Sequence, residues 1–248
     1  MKIIVFAGGS TSPEETARYP MLEHRPPAVL GDVYSACAAG ADTICLIDGF
    51  YDGRPRVSHS EILWAMANGV NVMGAAGLGA LRAAELETFG MTGMGTIFRT
   101  CKASPVTRED HFAFTPAKTA AGWTRASEPY CNIAATLETA EKLNIIPATT
   151  RARLARIAQE MHFSERSFDR LVDICRTDED DRGHIDRFQA WLPEGKCDLL
   201  QDDAIELLEF ASTLAETDIR PATAGFEFID TWRRKQTRDE VFALFDQD

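Results

Sequence analysis

Residues 43–86 read TICLIDGFYDGRPRVSHSEILWAMANGVNVMGAAGLGALRAAEL. Two apolar runs alternate here with two helical patterns. Thr43 to Gly49 is a β-branched, apolar run that ends on an acidic residue, Asp48. Asn71 to Ala76 is a second run, and it passes straight into a glycine-rich turn and a helix rich in Ala, Leu and Glu. Between them, Ser58 with Glu61 three residues on has the spacing of a capping box, in which each side chain satisfies a backbone N–H left open at a helix start. Ile62, Met66 and Val70 then recur at helical spacing. Strands alternating with helices in this way are the signature of a parallel sheet with crossover helices.

Working outward, Lys2 to Ala7 reads as an earlier buried strand closed by Gly8 and Gly9, and Gly31 to Gly40 as a helix bounded by glycines. After the central stretch, GMTGMGTIF (Gly90 to Phe98) predicts a tight loop and a further strand. Beyond about Pro129 the periodicity is helical. Asn132 to Leu143 begins it, and Leu154, Ile157, Ala158 and Met161 share the face of a second helix. Ser164 is the expected start of a third, with Phe168, Leu171, Val172 and Cys175 inside. Ala204, Leu207, Leu208, Ala211 and Leu214 form a later stripe, and Thr237 with Glu240 caps a last helix carrying Val241 and Leu244. The expected fold is α/β, a Rossmann-like, mostly parallel sheet with crossover helices over residues 1–130, followed by an all-helical domain over residues 131–248.

Composition bounds the partners. The chain has 248 residues, with Lys+Arg 26 against Asp+Glu 38 and a formal net charge of -12. Nucleic-acid binding draws on cations that neutralise phosphates, and this chain has no segregated basic face, so nucleic acid and anionic membrane surfaces are disfavoured. The opening MKIIVFAGGS has about half the apolar run of roughly 10 residues that a secretory signal needs, and nothing approaches the roughly 20 residues of a membrane span. A cytoplasmic protein is expected. Cys37, Cys45, Cys101, Cys131, Cys175 and Cys197 are scattered without a C-x-x-C pair, so they read as reduced thiols, with no metal site and no cofactor.

The residues able to carry chemistry cluster in the same central stretch. A strand feeding a glycine-rich turn and a helix, here Gly74, Ala75, Ala76, Gly77, Leu78 and Gly79, presents backbone N–H groups and a helix dipole to one point, a geometry that suits an anion or a developing oxyanion. Arg82 and Glu85 lie on that helix. The alternative is that the glycines simply let helix and sheet pack closely. Asp48 ends a strand where α/β sheets open a ligand crevice. His59, beside the Ser58 cap, is an acid/base candidate or an exposed first-turn residue, and Glu61 a catalyst or a pure cap. Cys131 has no basic neighbour to activate it. The string from Gly77 to Arg82 lacks the third glycine of a dinucleotide fingerprint, and there is no P-loop and no G-x-S-x-G elbow.

These residues also carry a resemblance. RPPAVLGD (Arg25 to Asp32), the run from Leu46 to Phe98, and SEPYCNIAATL (Ser127 to Leu137) resemble TfuA-like proteins. The resemblance implies a partner of YcaO enzymes, the ATP-dependent enzymes of peptide backbone thioamidation in ribosomal peptide natural products or a methanogen enzyme. It further implies release of sulfide from a thiocarboxylated ubiquitin-like sulfur carrier, with a precursor peptide as a further partner. In that setting Gly77 to Gly79 would hold the oxyanion, Arg82, with Arg25 nearby, the anionic end of the carrier, and His59 or Asp48 would activate water. Two positions depart from the family pattern: GAAGLG puts Gly77 and Leu78 where the family has Ser and Met, and Asn132, Ile133, Ala134 stand where it has N-I-R. The hydrolytic reading therefore stands beside a non-catalytic one, in which the protein couples a YcaO enzyme to carrier or peptide, and a more remote stand-alone small-molecule hydrolase.

Overall fold

The computed structural model describes all residues except 52, 105–107, 121, 177–180, 216–224, 231–234, 237, 241–242 and 244–248. Five strands, β1 (Ile3–Phe6), β2 (Glu23–Arg25), β3 (Thr43–Leu46), β4 (Asn71–Gly74) and β5 (Thr92–Gly93), form one sheet in the order β2-β1-β3-β4-β5. Every pairing in it is parallel. The crossovers carry α1 (Pro13–Thr16), α2 (Asp32–Ala38), α3 (His59–Ala67) and α4 (Leu78–Leu86). β1 and β3 are buried along their whole length, which is why they read as unbroken apolar runs rather than alternating ones.

The capping box at α3 is present as expected, with Ser58 and Glu61 each accepting the other's backbone N–H. The strand expected after Gly95 is not formed. Thr96, Ile97 and Phe98 lie in α5 (Gly95–Ala103), whose buried face is Ile97, Phe98 and Cys101. A short apolar run cannot distinguish a strand from a buried helical turn, and here a distant residue decides. Asp203 accepts the Thr96 and Ile97 amide hydrogens at 2.7 Å each, capping α5 from another helix.

A hairpin of β6 (Pro116–Thr119) and β7 (Gly122–Arg125) follows. Then come α6 (Tyr130–Lys142), α7 (Ala148–Glu160), α8 (Phe168–Cys175), α9 (Arg182–Gly195) and α10 (Leu199–Ala215). The start of α8 is a correction: Ser164 lies in a 3-10 turn and bonds the His162 ring at 2.7 Å, whereas Ser167 accepts the Arg170 N–H and caps the helix. The cap expected at Thr237, with Val241 and Leu244, lies outside the described residues. Helices α6 to α9 enclose their own apolar cluster, including Ile133, Leu137, Leu154, Leu171 and Phe188. The inner stripe of α10, Leu200, Ala204, Leu207, Leu208 and Ala211, instead joins the core of the sheet. Among the described residues no helix is long and apolar enough to cross a membrane.

Candidate functional site

The strand order reverses between β1 and β3, and such a switch point opens a crevice beyond the carboxyl ends of the strands. Past Phe6 the chain turns away at Gly8 and Gly9, and the two neighbours of β1 meet over its end: the Ala28 N–H donates to the Asp48 carbonyl at 2.8 Å. The Asp48 side chain fills the gap. One carboxylate oxygen accepts the Gly8 and Ser10 amides at 2.7 and 3.0 Å, and the other accepts the Ser10 hydroxyl at 2.6 Å. Asp48 is 2% exposed. Burial pushes its pKa up, and the bonds from Ser10 and Gly8 only partly offset this. The loop is pressed from outside, since a Cβ on Gly8 would lie 2.7 Å from the Trp123 Cβ and one on Gly9, at φ +112, only 2.5 Å from the Phe114 ring.

The turn into α4 divides by glycine. A Cβ on Gly79 would meet the Leu46 carbonyl oxygen at 1.8 Å, and one on Gly74 the Gly79 oxygen at 2.1 Å, so these two glycines let helix and sheet touch. The Gly79 N–H donates to the Ile47 carbonyl at 3.2 Å and the Ala75 N–H to Leu46 at 3.1 Å. Ala76 takes a left-handed conformation at φ 59, and the Leu78 side chain is buried against Gly49. Gly77 differs from both glycines: a Cβ there would find Tyr51 Oη at 3.5 Å and Asp48 Oδ1 at 3.7 Å, ordinary contact distances. The amide hydrogens of Gly77 and Leu78 have no acceptor among the described residues, as expected for the orphan donors of a helix start.

Arg82, Glu85 and His59 form a separate network. Arg82, 7% exposed, donates through Nη1 to Glu85 Oε2 at 2.6 Å and through Nε to the Val57 carbonyl at 3.2 Å. The same Glu85 oxygen is 2.7 Å from His59 Nε2. Burial raises the Glu85 pKa, but the bonds from His59 and Arg82 outweigh it and hold the carboxyl below its usual range. His59 thus bonds Glu85, while the donors on Asp48 come from the loop after β1. Glu61 is fully buried, and besides the cap it accepts the Gly31 N–H at 2.9 Å; burial pushes its pKa up to about 7. Arg25 is held by Glu23 and Ser35, at the edge of a cavity of about 260 Å³ that it shares with His24, Thr11 and Trp123. The Cys131 thiol is pushed up by burial, which removes it as a nucleophile at neutral pH.

Four residues beside the crevice were not legible as site residues. Ser10 holds Asp48, and its only sequence signal is its place in the Gly-Gly-Ser turn after the first strand. The Tyr51 hydroxyl is buried without a hydrogen-bond partner among the described residues. Arg125, on β7, pairs with Asp198 through both guanidinium nitrogens, a contact spanning 73 residues that no local pattern reveals. Asn132, where the family pattern begins, donates to Glu128 and Asp198 at 2.9 Å each.

Sheet order and crossover helices define an α/β protein with a parallel sheet whose strand order reverses between β1 and β3. Residues 48–167 match the family model described as TfuA-like protein, so over that span the chain is similar to the TfuA-like family. This family is associated with YcaO enzymes and peptide thioamidation. A search of curated proteins found no match.

Proposed function

We propose that the protein supplies sulfide to a YcaO enzyme by hydrolysing a thiocarboxylated sulfur carrier in the Asp48 crevice. One observation carries the reading: a buried carboxylate with a raised pKa lies 3.7 Å from where a Cβ on Gly77 would sit, and the N–H groups of Gly77 and Leu78 have no acceptor among the described residues. A general base and donors placed for a developing oxyanion are the two requirements of acyl hydrolysis. In this reading Asp48 takes a proton from water as the new C–O bond forms at the thioacid carbon. The Gly77 and Leu78 amides hold the oxyanion, the protonated Asp48 gives its proton to the departing sulfur as the C–S bond breaks, and hydrosulfide leaves with a carboxylic acid behind it, which then ionises to the carboxylate. Arg82 has two of its nitrogens committed to Val57 and Glu85, so its part is to fix α4 against the approach to α3.

The substitutions in the family pattern favour one other reading. Gly77 and Ala134 stand where the family has Ser and Arg, which suits a protein that binds the YcaO enzyme and carrier without turning the carrier over. Incubation of the protein with a thiocarboxylated carrier, with sulfide measured alongside YcaO binding, separates the two. Sulfide above the spontaneous rate supports hydrolysis. Retained YcaO binding with no release assigns the coupling role.

A further inference from the structure

The hydrolytic reading needs a cation for the anionic end of the substrate, and we infer that Arg125 receives it, with Asp198 as the resting counter-ion. This inference rests on the proposed function. From β7, Arg125 packs against the loop that holds Asp48, its Cγ 3.2 Å from the place of a Cβ on Gly9. It lines a cavity of about 340 Å³ together with Ser10, Thr11, Trp123 and Gln201, and also an adjoining cavity of about 650 Å³ on the side of α8 and α9. It is therefore a cation at the junction between the wider cavity and the smaller one, which Ser10, the residue that holds Asp48, also lines.

The resting contact shows what Arg125 is built to hold. Nη1 bonds Asp198 Oδ1 at 2.9 Å and Nη2 bonds Oδ2, the parallel two-bond geometry in which a guanidinium grips a carboxylate. A thiocarboxylate is a planar anion of the same shape with one oxygen replaced by sulfur. Asp198 keeps two bonds without Arg125, because its Oδ1 also accepts the Asn132 side chain at 2.9 Å and the Gln201 N–H at 3.1 Å. Exchange thus leaves Asp198 with two neutral donors on Oδ1 and gives the incoming anion the cation. Thr11, 6% exposed, has a buried hydroxyl without a partner among the described residues and lines the same 340 Å³ cavity, so it places a further polar group beside the cation. Competition from Asp198 lowers the apparent affinity for the incoming anion by the fraction of time Arg125 is occupied. After C–S cleavage the product carboxylate is equivalent to Asp198, which displaces it.

The test uses the full chain and a synthetic peptide copying the end of a sulfur carrier, made as the free acid and as the amide. The wild type binds the acid at least about tenfold more tightly than the amide, the worth of one charge-assisted pair. Asp198→Asn tightens the acid by about tenfold and leaves the amide unchanged. Arg125→Gln abolishes the preference, Arg125→Lys restores part of it, and Asp198→Asn brings no gain in the Arg125→Gln background. An acid preference that survives Arg125→Gln, a wild type without preference, or no tightening by Asp198→Asn overturns the inference. Should Arg125→Gln fail to fold, Asp198→Asn with native Arg125 decides alone. Sulfide release is scored separately: a protein that selects the acid through Arg125 yet releases no sulfide upholds the inference and removes the hydrolase.

Discussion

Ser10 donates to Asp48 twice, by its amide at 3.0 Å and its hydroxyl at 2.6 Å, so the loop after β1 is pinned to the end of β3 across the switch point. An aspartate in this position is both the floor of the crevice and its lock. Asp48→Asn puts an amide nitrogen among three donors, and Asp48→Ala leaves all three without an acceptor. Each variant is expected to lose roughly 2 kcal/mol of stability in urea unfolding, the cost of unsatisfied buried donors. Ser10→Ala, which removes one donor and keeps the acceptor, loses about 1 kcal/mol. Equal losses for Ser10→Ala and Asp48→Ala would contradict this account of the loop.

Glu61 gives stability a pH signature. Its folded pKa, about 7, lies above the ordinary 4.5 because burial disfavours the charge. The folded state therefore binds the proton more tightly, and this contribution is fully present below pH 4.5 and lost as pH rises through about 7. The stability of the wild type relative to Glu61→Gln, which does not titrate, falls across that window. Unfolding curves at a series of pH values measure it, and a difference that is flat or rises with pH is the opposing result.

The three glycines at the head of α4 are predicted to respond differently. Gly79→Ala drives a methyl into the Leu46 carbonyl, and Gly74→Ala drives one into Gly79, so each is expected to destabilise by about 3 kcal/mol or more through backbone displacement. Gly77→Ser fits at φ -68, with room beside Asp48 and Tyr51. Its stability stays within about 0.5 kcal/mol of the wild type, since Gly and Ser differ little at a helix N-cap. If the hydroxyl belongs to the site, the sulfide-release rate rises at least about tenfold, the scale of one transition-state contact. A folded Gly77→Ser protein with an unchanged rate removes the hydroxyl from the mechanism.

Asp203→Ala removes the cap that α10 gives to α5. Two amides, that of Ile97 buried, lose their acceptor, and about 1–2 kcal/mol of stability goes with them. Hydrogen exchange at Thr96 and Ile97 speeds up in this variant if the contact acts as described, and unchanged protection there shows that other groups hold the start of α5.

What could be read in the sequence follows from where each signal resides. β1, β3 and β4 were visible because burial on both faces writes an apolar run, and the start of α3 because Ser58 and Glu61 satisfy each other locally. β2 is Glu-His-Arg and the hairpin strands are PAKT and GWTR, too short and too polar to show a period. The helical state of Thr96 to Phe98 depends on Asp203, more than 100 residues away, and no window along the chain contains that fact. At the site, Asp48 was legible from its place after a strand. Ser10, Tyr51 and Arg125 were not, because their roles arise only when the loop after β1, the loop after β3 and the hairpin converge.

The central claim is that the Asp48 crevice hydrolyses a thiocarboxylate. The most direct measurement is sulfide release from a thiocarboxylated carrier by the folded wild type and by Asp48→Asn, with folding of both verified. The account predicts release above the spontaneous rate, lowered at least about tenfold in Asp48→Asn. Release at the spontaneous rate from the folded wild type, or equal rates for the two proteins, would contradict it.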